Sequence, residues 1–160
     1  MTSPEITWDL SLLYQNPDDP ELAADLNAAR QLAQKFRQDF RGRIASERLS
    51  PEALVSALKR YEELQRLILK PFFYAQLLFS RDSRPAPHKA LLARVRECWS
   101  TLAETTLFFE LEVLSIEEVL FAALLKNPEV AEYGHYLRQL RAHAPYTLSE
   151  EVEQALKRKD

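Results

Sequence analysis

The 160-residue chain holds a single cysteine, Cys98. That excludes an internal disulfide and fits a reducing compartment. Glycine is almost as scarce, with two residues, Gly42 and Gly134. Neither sits in a Gly-rich motif that could cradle a phosphate. No apolar run approaches the ~18 residues that a membrane-spanning helix needs. The opening MTSPEITWDLS has no basic start and no apolar h-region, so no secretion signal is expected. Charge of one sign is lacking too. The 21 basic and 24 acidic side chains leave a net −3, which excludes the electrostatic footprint of a nucleic-acid binder. With 46% hydrophobic and 28% charged residues, the chain is long and apolar enough to fold around a core.

What is present is helical periodicity. The stretch PAPHKALLARVRECWSTLAETTLFFELEVL, about 85–114, reads as one rod of about 45 Å. Leu91, Val95, Cys98, Leu102, Phe109 and Val113 run along one line, and Leu92, Trp99 and Thr106 widen it. From Leu107 on, Leu107, Phe108, Phe109, Leu111, Val113 and Leu114 point around the whole axis, which predicts a half buried on several sides.

Before this helix, residues 1–19 read as an irregular arm. Trp8, Leu10, Leu12, Leu13 and Tyr14 would pin it down, with Asp9 and Ser11 capping a short turn. Asp19 and Pro20 start the first helix, and Leu22, Leu26, Ala29, Ala33, Phe36 and Phe40 form its seam. Gly42 is its stop. Ser50 caps the second helix, Pro51 opens it and Leu49 staples Leu54. Leu54, Leu58, Tyr61, Leu64 and Ile68 carry its stripe. Pro71 removes the bond to the carbonyl of Leu67, which predicts a kink or break. Residues 72–79 (FFYAQLLF) read as helix buried on more than one side, and 81–87 as a turn.

After the long helix, Ser115 with Glu118 matches a capping box for a short helix bearing Val119, Leu120, Ala123 and Leu124. Asn127-Pro128 opens another, with Val130, Tyr133, Leu137 and Leu140 inward and Gly134 inside it. Ala144-Pro145 ends that helix, and Ser149 caps a last one over 150–158. It stops without Gly, Pro or a turn signal, so the fold is expected to continue past Asp160. The expectation is an all-α fold, a multi-helix bundle of antiparallel helices with one long central helix, forming a single helical domain over 1–160.

Chemistry is sparse. His88, His135 and His143 include no i,i+4 pair, and His135 is followed by Tyr136, so no zinc-peptidase helix is present. Glu110 and Glu112 fall in the apolar half of the long helix. Two residues apart, they face different ways, which argues for separate Arg or backbone-donor partners over a paired-carboxylate catalyst. Cys98 lies on the apolar stripe and reads as a small core residue rather than a reactive thiol. Phe72, Phe73, Tyr74 and Phe79 read as core before they read as a peptide-binding wall. No catalytic, cofactor-binding or metal residue is assigned.

Several stretches in order carry a resemblance. They are WDLSLLY at 8–14, YEEL at 61–64, FYAQLLFSRD at 73–82, FFELEVLSIEE at 108–118 and PEVAEYGHYLRQLRAHAPYTLSEEVE at 128–153. Together they resemble the N-terminal region of oligoendopeptidase F-type zinc metallopeptidases, relatives of thimet oligopeptidase. Tyr146 departs from the pattern, which has a histidine there. The resemblance implies a mostly helical, cytoplasmic parent enzyme that cuts short peptides in a deep channel. It implies zinc held by an HExxH helix and a downstream Glu, motifs of the C-terminal portion that this sequence does not contain. No cofactor is therefore expected in this chain. Its expected partner is the missing C-terminal catalytic domain, with no nucleic acid and no membrane. The resemblance implies a non-catalytic wall of the substrate channel. The alternative is a free-standing helical interaction module, a homodimer through the Phe72–Phe79 face or the Leu107–Leu114 end. As a fragment, the isolated chain is expected to expose an apolar patch or bury it in a non-native self-association; as a module, it is expected to form a symmetric interface of over ~1,000 Å².

Overall fold

In the computed structural model, which describes residues 9–143, the described residues form helices and no strand. A short 3-10 turn, Leu10–Leu12, is followed by α1 (Pro20–Phe40), α2 (Pro51–Arg81), α3 (Ala86–Ser115), α4 (Glu118–Leu125), α5 (Pro128–Glu132) and α6 (Gly134–Ala142). The all-α expectation holds, and α3 is the long helix read at 85–114. Trp8, Tyr146, the Ala144-Pro145 break and the last helix capped by Ser149 lie outside the described residues. The chain divides into two compact units. One runs to Lys35 and includes Tyr61–Thr105; the other comprises Phe36–Arg60 and the residues from Thr106 on.

In the first unit, Asp19 accepts from the backbone N–H groups of Gln15 and Glu21, each at 2.9 Å, and so caps α1. Leu22, Leu26, Ala29 and Ala33 are buried as their spacing requires. They share a core with Leu64, Ile68, Ala75 and Leu78 of α2 and with Leu91, Leu92, Val95, Cys98 and Leu102 of α3. The short link between α2 and α3 makes those two helices antiparallel neighbours. Asp82 in that link accepts from the Arg84 backbone and guanidinium, at 3.1 and 3.0 Å. These bonds hold its carboxyl down to about 2.

Among the described residues, Leu10, Leu13 and Tyr14 hold the arm before α1 on the core. Tyr14 is buried, donates its phenol to Asp25 Oδ2 at 2.6 Å and meets Tyr74 edge-on at 5.1 Å. Lys70 Nζ lies 4.5 Å from the Tyr14 ring centre and within 3.9 Å of both the Glu21 and Asp25 carboxylates. Leu10 joins the core, but Leu12 does not pin the arm as expected. It is 84% exposed, because residues two apart on a 3-10 turn face different sides.

Pro71 does not break α2, which runs from Pro51 to Arg81. Buried Leu64 and Ile68 precede the proline, and buried Tyr74, Ala75 and Leu78 follow it. Their shared packing offsets the lost backbone bond, which costs roughly 3 kcal/mol in an unsupported helix. The 72–79 stretch is not buried all round either; one of its sides stays open, as described below.

In the second unit, Phe36 is buried against Phe40, Phe108 and Phe109, with ring centres 5.3 to 5.4 Å apart. Ser50 Oγ accepts from the Ala53 N–H at 3.1 Å and caps α2, and Leu49 and Leu54 are both buried. Arg60 pairs with Asp39 and lies over the Phe40 ring. The end of α3 is only partly enclosed. Phe109 and Val113 are buried, while Leu107, Phe108, Leu111 and Leu114 are half-buried, so the expectation of burial on several sides is met on one.

Two further expectations fail here. Ser115 forms no capping box, because it is the last residue of α3 and its hydroxyl donates back to the Glu112 carbonyl at 2.7 Å. Glu117 takes the N-cap position of α4 with no side-chain bond, and Val119 is 75% exposed. The helix opened by Asn127 is two helices. Asn127 accepts from the Glu129 and Val130 N–H groups, but α5 ends before Tyr133, whose ψ of 6° is not helical. Helix resumes at Gly134, the weakest helix former nearby. Val130 and Leu137 are buried, Tyr133 and Leu140 half-buried.

Gly42 stops α1 with φ +82°, and a Cβ there would meet no atom within 4 Å. Gly42→Ala therefore loses backbone energy alone, about 1 kcal/mol. The urea midpoint should fall with an unchanged m-value. Burial, then the Asp25 carboxylate, pushes the Tyr14 phenol well above its ordinary value. A raised value means its contribution is whole below the unfolded tyrosine's pKa of about 10 and is lost as pH rises beyond it. Tyr14→Phe should cost about 1–2 kcal/mol at neutral pH. In thermal melts against pH, that gap should close only on the alkaline side.

Candidate functional site

Several of the side chains with chemical potential make structural contacts. Glu112 accepts from the Gly42 and Ala45 N–H groups, each at 3.0 Å, and ties the turn after α1 to α3. Such a backbone-donor partner is what its position called for. Glu110, two residues earlier and half-buried, does not join it as a catalytic pair. His88 places Nδ1 2.7 Å from the Asp82 carbonyl and braces the link between α2 and α3. His135 is exposed on α6, and His143 is exposed at that helix's C-cap. Among the described residues no three His, Cys, Asp or Glu side chains could hold a metal ion together.

Cys98 is fully buried, with Sγ 4.0 Å from the Leu26 carbonyl. Burial pushes its thiol above the ordinary value. A cleft of about 300 Å³ lies over the start of α2 and beside Asn127. The Lys59–Glu129 ion pair, 3.7 Å and largely in solvent, spans it. Arg141 closes α3 by donating Nη1 to the carbonyls of Val113 and Ile116, at 3.2 and 2.7 Å, while stacking on Phe121.

The aromatic run on α2 divides. Tyr74 is buried, and Phe72 and Phe79 pack on the core, Phe72 with its ring centre 5.0 Å from that of Trp99. Phe73 turns outward and is 52% exposed, with Leu69 at 36% and Leu77 at 37% on the same side. These three are four residues apart, so they form one ridge of the helix surface. At ~100° per residue the ridge lies roughly opposite the buried stripe of Leu64, Ile68, Pro71 and Ala75. It is an exposed apolar face and the candidate functional site. Sequence reasoning pointed to the Phe72–Phe79 face as a whole and missed this division. The signal was present: apolar residues at 69, 73 and 77, a second four-residue spacing offset from the core stripe.

Burial of the thiol has a measurable consequence. Cys98 should react with an aromatic disulfide at least about 100-fold more slowly in native buffer than in denaturant. Rapid native labelling would place it at the surface instead.

Comparison with known proteins gives the chain its relatives. A family model described as Oligopeptidase F matches residues 112–160. The group B oligopeptidase PepB of Streptococcus agalactiae serotype III (strain NEM316) is 26% identical over 108 residues, 67% of this chain and 18% of that protein. The oligopeptidase PepF of Bacillus subtilis (strain 168) is 24% identical over 153 residues, 95% of this chain and 22% of that protein. The chain thus spans about a fifth of the length of the curated relatives it matches. No solved structure matches it. The family match and the relatives agree with the motifs read from the sequence: the chain resembles the N-terminal region of an oligoendopeptidase F-type peptidase.

Proposed function

We propose that this chain is the N-terminal helical domain of an oligopeptide-cleaving zinc metalloendopeptidase of the cytoplasm. It forms one wall of the substrate channel and is not catalytic by itself. Its partner is the HExxH-bearing catalytic portion of the same protein, and short peptides are the substrates of the whole. The observation that carries this reading is the alignment of 95% of the chain with only 22% of an oligopeptidase. The structural contacts of Glu112, His88 and Cys98 are in keeping with a supporting domain.

The test is direct. The purified chain, loaded with zinc, should hydrolyse a mixed set of short fluorogenic peptides no faster than a mock preparation. The reading frame of the source locus should run past the codon for Asp160 to an HExxH motif. Peptide cleavage above the mock level, or a stop codon at that point, would overturn the reading. The second of these would leave the free-standing interaction module.

A further inference from the structure

We propose that the ridge of Leu69, Phe73 and Leu77 on α2 is the docking seam for the polypeptide that follows Asp160 in the same chain. This rests on the reading of the chain as an N-terminal domain. An i, i+4, i+8 ridge is the shape that fits the groove of a packed helix, so the occupant presents an apolar helical surface. The centre is apolar and its rim polar, as at a protein contact. Arg66, paired with Glu62 at 2.8 Å, borders one end, and the exposed Ser80 and Arg81 border the other. Lys70, next to Leu69, draws its ammonium away toward Tyr14, Glu21 and Asp25, so no unpaired charge interrupts the ridge.

Area decides between occupants. The three side chains expose 36, 52 and 37% of their surface. That amounts to roughly 200–300 Å² of apolar surface, where a stable complex of separate chains needs about 800 Å² from each partner. The ridge by itself supplies about a third of that, so a second copy would have to bury further surface around it. A tethered neighbour meets it at an effective concentration in the millimolar range, on the order of what so small a contact requires. Relatives about five times longer than the aligned region have chain enough to supply that neighbour.

The experiment is residue-resolved carbene footprinting read by mass spectrometry. It compares the 160-residue chain with the chain continued through its own reading frame. Modification at Leu69, Phe73 and Leu77 should fall about fivefold or more in the longer chain, as expected of buried contact residues. In the shorter chain it should not change with protein concentration. Phe73 meets the Phe72 ring edge-on at 6.1 Å, so Phe73→Asp should lower the melting temperature of the shorter chain slightly and that of the longer one by clearly more; equal drops in both overturn the seam. Unchanged modification in the longer chain overturns the seam. So does protection of the shorter chain that grows with concentration, since the occupant would then be a second copy. A frame that closes at Asp160 sinks the domain reading and the seam together. A frame that runs on to HExxH while the ridge stays labelled sinks the seam alone.

Discussion

Burial of one line of side chains on α1 is the constraint on which the rest depends. Leu22, Leu26, Ala29, Ala33, Phe36 and Phe40 all lie within 8% of full burial. The first four serve one compact unit and the last two the other. Their sizes follow the packing. Ala29 and Ala33 bring backbones close, and Phe36 fills the space among three further rings. An amphipathic helix of this length gains most of its stability from such a face rather than from propensity. Loss of the seam would leave α2 and α3 without a surface to close against.

Around that core, polar groups finish what the helices leave open. The orphan N–H groups of α1, α2 and α5 are met by Asp19, Ser50 and Asn127. Glu112 meets the turn after α1, and Arg141 the last carbonyls of α3. Several residues that could have done chemistry are thereby occupied. A carboxylate holding two backbone donors, and a histidine held against a carbonyl, are structural parts in a chain with few turns of its own to spare.

The outward ridge on α2 is the feature that internal packing does not explain. A helix with apolar residues on opposite sides has two surfaces to cover, and the core of the first unit covers one. The other is small, apolar and bounded by polar groups. Its size suits a tethered neighbour better than a free one.

By itself the sequence determined the helical class, the starts at Asp19, Ser50 and Asn127, the stop at Gly42, and the seams that face inward. It also carried the resemblance to the oligoendopeptidase F-type region. These are local matters, set by 3.6-residue periodicity, capping chemistry and the conformational freedom of one glycine. Tertiary structure decided the rest. Pro71 stays within α2 because packing on both sides outweighs one missing bond. Ser115 ends α3 instead of capping α4, a choice between two local bonds that depends on how far α3 is held. The helix after Asn127 divides at Tyr133. Above all, an apolar residue carries no mark of which neighbour will cover it. Tyr74 and Phe73 are adjacent and equally aromatic, and only the placement of the surrounding helices buries one and leaves the other half in solvent.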